Sequence, residues 1–283
     1  MNNLQIDLSN DKPLVMGILN ITPDSFYDGG QRSTMEDYLR HCEKMLLEGA
    51  DIIDIGAIST RPGAEELDFN QELSRLLPII KSIRKEFPSV YLSVDTWRAQ
   101  IAKTLYQEGI NMINDISGGV FEPEIMQVIK DCNLAYVMMH IQGRPGTMQV
   151  APHYDDVVKE VFGSLTDRAN DLKDEVKAPI VLDPGFGFGK TIEHNYILLN
   201  NLEKLTNSGY PVLVGVSRKS MIYKLFNTTP SESLNGTTVI NTLALMKGAK
   251  ILRVHDVKEA RECIEIFSML NRADNKSTQT NTK

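Results

Sequence analysis

Eight short apolar runs of this sequence each end in residues that can ionise or hydrogen-bond. The first closes on Asn20 and leads into ITPDSFYDGG; the second carries Asp54 and Gly56 ahead of STRPG. The third ends at Asp95, the fourth at Asn114 and Asp115, the fifth at His140 and the sixth at Asp183. Ser217, Arg218, Lys219 and Ser220 follow the seventh, and the eighth carries Arg253 and His255. Any one of these has a bland explanation, because Asp and Asn favour turns; Asp183 alone reads first as a turn carboxylate. Eight together describe the rim of an active site.

The ring divides by charge. Asp95, Asn114 and Asp183 supply acceptors and an amide, a set suited to a flat nitrogenous heterocycle with N–H and amino donors. Lys219, Arg253 and His255 supply donors and positive charge, suited to a phosphate or a carbonyl oxygen. Arg253 and His255 stand two apart, so on a strand they share a face; the other reading of Arg253 is a salt bridge to a strand-end Asp. Asn20 is a neutral oxygen ligand able to take one position on a hydrated Mg2+ carried in by a phosphate. Its simpler role is to brace the first loop.

Other motifs fail on inspection. PGFGFGKT, residues 184–191, resembles a phosphate-binding loop, but the first glycine of G-x-x-x-x-G-K-[ST] would fall on Pro184. Its glycines instead allow close approach to a ligand, with Phe186 or Phe188 available either for stacking or for the core. His41, His153 and His194 show no zinc-ligand spacing, and no G-x-S-x-G elbow supports a hydrolase triad.

The elements that must hold the ring are legible from the same runs. Strands are expected at 14–19, 51–55, 91–94, 112–114, 134–139, 180–182, 212–214 and 251–254, apolar throughout as for parallel strands covered on both sides. Helices are expected at 35–48 behind an N-cap at Thr34, at 71–87 before Pro88, and at 99–108 before Gly109. Asp256 and Glu259 have the spacing of a capping box that opens the last helix. Eight βα units predict an α/β fold of the (β/α)8 TIM-barrel type in one domain over 1–271, with a doubly wound sheet as the alternative. Residues 272–283 have no apolar periodicity and are expected to be a disordered tail. Loops 20–33 and 56–67 are longer than ordinary βα connections of ~2–6 residues, and are expected to be lids.

Composition narrows the class. The chain has 283 residues and a formal net charge of -7, which argues against a nucleic-acid or anionic-membrane surface. No uncharged apolar run is long enough to span a bilayer. Three scattered cysteines and an N-terminus, MNNLQIDLSNDK, without a leader pattern fit a cytoplasmic protein.

The motifs MGILNITPDSFYDGG, IDIGAISTRPGAEE, LSVDT, INDISGG, MHIQGRPGTMQ, LDPGFGFGKT, VGVSRKS and RVHDV occur in the order seen in the dihydropteroate synthase family, and over residues 14–257 the chain resembles that family. The resemblance implies a TIM-barrel transferase of folate biosynthesis that joins 6-hydroxymethyl-7,8-dihydropterin diphosphate to 4-aminobenzoate. Asp95, Asn114, Asp183 and Lys219 would then hold the pterin ring, with Thr60, Asn114, Arg253 and His255 along the diphosphate-bearing substrate. Asp95, Lys219, Arg253 and His255 would carry the catalysis, and Asn20 would contact Mg2+. Phe26, Arg61, Pro62, Phe188, Lys219 and Ser220 match the aminobenzoate region, where sulfonamides compete in this family. Family members are commonly homodimers, so a second copy is the expected macromolecular partner.

One departure from the family is Ala57-Ile58 in the second motif, where many members have a second glycine followed by a polar residue. It would alter how that loop folds over aminobenzoate or a sulfonamide. Two other functions fit parts of the pattern. A pterin-binding methyltransferase would share the Asp and Asn groups but has no use for TPDSF, STRPG and SRKS together. A non-catalytic pterin-binding paralogue should have lost the diphosphate or loop residues, yet Asn20, Thr60, Arg61, Lys219, Arg253 and His255 are all present.

Overall fold

Each of the eight apolar runs forms a parallel strand: β1 (Leu14–Asn20), β2 (Ile52–Gly56), β3 (Tyr91–Asp95), β4 (Met112–Asp115), β5 (Ala135–Met139), β6 (Ile180–Asp183), β7 (Leu213–Val214) and β8 (Ile251–Val254). The computed structural model describes residues 4, 6–8, 12–21, 34–57 and 67–280, with side chains as far as 273. Neighbours run β6-β5-β4-β3-β2-β1-β8-β7, and a parallel bridge between Leu182 and Val212 joins the two ends. The sheet is therefore a closed barrel rather than the doubly wound alternative, which would keep two free edges. β7 is shorter than expected because Val212 serves both neighbours: it bridges Leu182 and accepts from the amides of Lys250 (2.8 Å) and Ile251 (3.1 Å).

Helices wrap this barrel: α1 (Met35–Leu47), α2 (Phe69–Glu86), α3 (Ala99–Tyr106), α4 (Ile125–Cys132), α5 (Val157–Leu172), α6 (Ile192–Asn200), α7 (Leu202–Thr206), α8 (Ser220–Tyr223), α9 (Leu234–Met246) and α10 (Val257–Thr280). Thr34 caps α1 as expected, in a reciprocal box with Asp37. α2 begins two residues before its expected start because Asp68 and Gln71 form a second such box. The expectation of a disordered tail from 272 is corrected as far as Thr280, which α10 reaches. No Pro or Gly interrupts 257–280, and extending an existing helix costs far less than nucleating one. Among the described residues no helix is long and apolar enough to cross a membrane.

Strand parity divides the core. Outward residues such as Ile53, Val94 and Leu182 pack under the helices. Inward residues Met16, Ile52, Tyr91, Met112, Val137, Val181, Leu213 and Ile251 fill the lower barrel, against Leu4, Ile6 and Leu8 of the N-terminal segment. Two residues further along the same inward faces come Asp54, Ser93, Asn114, Asp183 and Arg253. The lower barrel is thus an apolar plug, and its upper layer is polar.

Parity also removes one candidate from the mouth. Asn114 points inward, whereas Asp115 turns out under α5 and accepts from Ser117 N–H (2.8 Å), Ser117 Oγ (2.8 Å), Gly119 N–H (2.7 Å) and Tyr136 Oη (2.8 Å). Asp115 therefore secures the turn after β4. Tyr136→Phe is expected to lower stability by about 1–2 kcal/mol in urea titration, since one donor to a buried carboxylate is lost. Catalytic turnover, reported by the inward face, should be unchanged. A loss of turnover without a loss of stability would contradict this division of the strand end.

Candidate active site

A guanidinium lies at the centre of the polar layer. Arg253 Nε donates to Asp54 Oδ2 at 2.7 Å and Nη2 donates to Asp95 Oδ2 at 3.0 Å. Asn114 Nδ2 donates to the same Asp54 oxygen at 3.0 Å, so one carboxylate orients both a cation and an amide. Asp54 is fully buried, and its second oxygen has no hydrogen-bond partner among the described residues. Burial would lower the Arg253 pKa, yet Asp54 and Asp95 hold it above its ordinary value. Burial pushes Asp95 up to about 7, against the attraction of Arg253 and with the Asp54 charge adding to the rise. Arg253 therefore makes the salt bridge to a strand-end Asp that its second reading expects, and that bridge lies in the polar layer at the barrel mouth.

Room for this cluster comes from glycine. Gly56 pairs in register with Asp95, and a Cβ there would sit 3.3 Å from the Asp95 Cβ. A larger residue would displace the carboxylate.

The other half of the mouth is built on β6 and the turn after it. Asp183 Oδ1 accepts the Gly185 N–H at 2.7 Å, so it is the turn carboxylate expected from its type. It also faces Lys219: burial pushes the carboxyl upward and the Lys219 charge opposes that shift. Burial pulls the Lys219 ammonium down to about 8, with Asp183 opposing. Lys219 Nζ donates to Phe186 O at 2.5 Å and lies 4.7 Å from the centroid of the Phe188 ring. The two phenylalanines divide accordingly: Phe186 is core, and Phe188 is half-buried at the mouth. Gly185 needs its glycine, because φ is +68° and a Cβ would meet the His140 carbonyl at 2.0 Å. Beside Phe188, Trp97, Ile116, Met139, Phe121 and Ile141 form an apolar wall, with the Trp97 and Phe121 rings edge-to-face at 5.7 Å.

Ser220 opens the short helix α8, and the His255 N–H donates to Ser217 Oγ at 3.2 Å. His255 keeps an exposed face at the end of β8, and the surrounding protein, with the Arg253 charge beside it, pulls its imidazole down to about 4. The ring is therefore a neutral donor or acceptor near pH 7. Asn20 is exposed at the end of β1, paired in register with Gly56. Phe26, Thr60, Arg61 and Pro62 lie outside the described residues, as does Ile58 of the departing loop motif. Ala57 is buried, and its carbonyl accepts from Arg75 at 3.3 Å.

The fold thus brings together Asp95, Asn114, Asp183, Lys219, Phe188 and Arg253 from the sequence-derived set. Asp54 was read as a strand end but not placed in the site; its signal was parity, two residues beyond the inward Ile52. Positive and negative groups alternate around an apolar wall, an arrangement that grips a flat polar ring by its edge and an anion by its side.

Residues 16–255 match the family of pterin binding enzymes. Over 274 residues the chain is 43% identical to the dihydropteroate synthase of Escherichia coli K12, covering 96% of each chain. Among solved structures it resembles the Yersinia pestis dihydropteroate synthase in a sulfonamide drug complex, with a TM-score of 0.87 and 40% identity over 96% of this chain and 98% of that one. It also resembles the Xanthomonas albilineans dihydropteroate synthase with 4-aminobenzoic acid, with a TM-score of 0.84 and 38% identity over 92% and 94% of the two chains.

The Asp95 shift has a consequence for stability. In the folded protein its carboxyl keeps a proton up to about pH 7 that the unfolded chain releases in the ordinary carboxylate range. Its contribution to stability is fullest below that range and is lost as pH rises through about 7. Asp95→Asn removes the loss while keeping an acceptor for Arg253. Its melting temperature is expected to exceed the parent's at pH 8 by roughly 2–4 °C, equivalent to about 1 kcal/mol in a domain of this size. The gain should shrink at pH 5; a variant less stable at pH 8 would contradict the assignment.

Proposed function

The chain belongs to the pterin-binding enzymes and, among them, to the dihydropteroate synthases, and from that premise we propose how its own residues carry the reaction. It is a transferase of folate biosynthesis, joining 6-hydroxymethyl-7,8-dihydropterin diphosphate to 4-aminobenzoate with release of diphosphate. The observation that carries the residue assignment is the Asp54–Arg253–Asp95 bridge with Asn114 attached, facing Asp183 and Lys219 across one mouth.

In this reading Asp95, Asn114 and Asp183 take the donors on the pterin edge, and Lys219 donates to its carbonyl side. Arg253 spends Nε and Nη2 on carboxylates, which leaves Nη1 for the substrate. Arg253 carries the positive charge toward the departing diphosphate, while the neutral His255 contributes a hydrogen bond rather than a charge. The C–O bond at the pterin methylene breaks with its electron pair leaving on diphosphate. Asp95, next to the ring, favours the cation that remains. The lone pair of the 4-aminobenzoate amine then forms the C–N bond, and the amine loses a proton to water or diphosphate. An aryl amine is already a nucleophile near neutral pH, so the step needs no strong base. Phe188 and Ser220 take the aminobenzoate side; the family resemblance assigns Phe26, Arg61 and Pro62 to the same substrate and Thr60 to the diphosphate.

Magnesium fits as a substrate-borne ion. Among the described residues no three His, Cys, Asp or Glu converge on a metal position, whereas the exposed amide oxygen of Asn20 is suited to a single place on a hydrated ion. When bound, the ion would neutralise charge on the diphosphate.

Two neighbouring helices support the homodimer. Val239, Leu243 and Met246 on α9, and Ile266, Met269 and Leu270 on α10, are exposed at helical spacing. A second copy of the chain is the proposed cover for this apolar face, and the cytoplasm is the proposed compartment, consistent with free Cys42 and Cys263 in the core.

Purified protein should form 7,8-dihydropteroate, followed by chromatography, only with the dihydropterin diphosphate, 4-aminobenzoate and Mg2+ all present. Asp183→Ala should weaken pterin binding in calorimetry by about tenfold or more, as for loss of a charged hydrogen-bond partner. Pterin affinity unchanged in Asp183→Ala would sink the ring assignment. Light scattering should give twice the chain mass for the parent, and Leu243→Glu with Met269→Glu should give monomer. A monomeric parent would refute the interface.

A further inference from the structure

The turn over residues 185–189 is held by four side chains, one on each of four consecutive carbonyls. Lys219 Nζ donates to Phe186 O at 2.5 Å, Gln149 Nε2 to Gly187 O at 2.5 Å, Lys190 Nζ to Phe188 O at 3.0 Å and Tyr154 Oη to Gly189 O at 2.9 Å. The amides are held as well: Gly187 N–H donates to Asn195 Oδ1 at 2.7 Å and Phe188 N–H to Gly185 O at 3.0 Å.

Lys190 is the unusual member. It is only 2% exposed, and its ammonium meets Phe188 O, His140 O at 3.3 Å and His140 Nδ1 at 3.2 Å, all neutral acceptors. Burial pulls this ammonium down to about 7, with the nearby Asp183 charge opposing the shift. What it supplies is three donors from one atom, enough to span the segments that leave β5 and β6. Because Nδ1 of His140 accepts, the ring proton is assigned to Nε2. Burial, with Lys190 and Arg168 adding, pulls His140 down to about 3, so the ring stays a neutral acceptor. The ammonium is turned onto two backbone carbonyls and one ring nitrogen.

We propose that Lys190 is a positioning residue of the transfer reaction: by tying the His140 and Phe188 carbonyls together, it fixes the Phe188 ring beside Lys219 and so shapes the wall where 4-aminobenzoate docks. This rests on the assignment of Phe188 to the aminobenzoate side.

The test uses the full-length enzyme with Lys190→Met, read in two independent ways. By hydrogen exchange, the Gly187 and Phe188 amides should exchange about tenfold faster or more, with α2 unchanged as an internal control. In steady state, KM for 4-aminobenzoate should rise about tenfold while KM for the dihydropterin diphosphate moves less than about twofold. In a Phe188→Ala background, Lys190→Met should add nothing further to the 4-aminobenzoate KM.

Parent-like exchange at the two amides overturns the proposal, as does an equal rise in both KM values or full additivity with Phe188→Ala. If Phe188→Ala alone leaves the 4-aminobenzoate KM unchanged, the underlying contact has failed, and the exchange arm shows separately whether Lys190 holds the turn. Should Lys190→Met not fold, Lys190→Gln keeps two of the three N–H donors on a shorter, neutral side chain: intermediate exchange and an intermediate KM support the proposal, and parent-like values overturn it.

Discussion

The structure depends on one half-buried cation. Arg253 projects into a closed barrel whose lower half is wholly apolar, and a lone guanidinium there would be untenable. Asp54 and Asp95 make it tenable, and together they dictate much else. Asp54 must also orient Asn114. Gly56 leaves room for the Asp95 carboxylate, since a Cβ there would come within 3.3 Å of the Asp95 Cβ. Two carboxylates share one cation, and burial, with the Asp54 charge adding, pushes the Asp95 carboxyl up to about 7. Such a group can yield its proton when a cationic ring arrives, so the cost of its burial is also the source of its use.

The barrel lets this cluster exist by separating two tasks along the same strand faces. Met16, Ile52, Met112, Val181 and Ile251 close the lower barrel, where packing alone decides the residue. One pleat further along, the same faces carry Asp54, Asn114, Asp183 and Arg253. Leu4, Ile6 and Leu8 pack against the apolar layer from below, and the polar layer lies toward the upper mouth. Charges there lie in a low-dielectric cup held by rigid strands, so little reorganisation is needed when the leaving group acquires charge.

That pattern explains what was readable beforehand. The strand ends announced themselves because a parallel strand is a continuous apolar run that stops abruptly at a polar residue. The barrel followed from their number. Sidedness was harder: Asn114 and Asp115 are adjacent and equally polar, and only the pleat sends one into the mouth and the other beneath α5. Asp54 was visible as a strand end, but its task depends on Arg253, 199 residues away in the chain. Lys190 was hidden more deeply, because its partners are backbone carbonyls, which leave no mark in residue type. The last turns of α10 were missed for the opposite reason: helix propagation asks for no apolar periodicity once a helix is under way.

The two halves of the mouth also differ in how they resist deformation, and that difference suits the order of events. The Asp54–Arg253–Asp95 half is carried by paired strands, where a shift of one side chain would break the register of its neighbours. The opposite half is a turn with left-handed glycines at 185, 187 and 189, whose shape is imposed by side chains donating to its carbonyls. A rigid wall is needed where charge separates, because the field must already be in place when the C–O bond breaks. A wall held by side-chain donors suffices where, on the proposed assignment, a planar aromatic acid docks beside Phe188, because its nucleophile needs orientation more than electrostatic help. Lys219 belongs to both: its charge answers Asp183 across the mouth, and its ammonium holds Phe186 O in the turn. Through that one side chain, the Asp183 carboxylate and the shape of the turn that carries Phe188 are coupled.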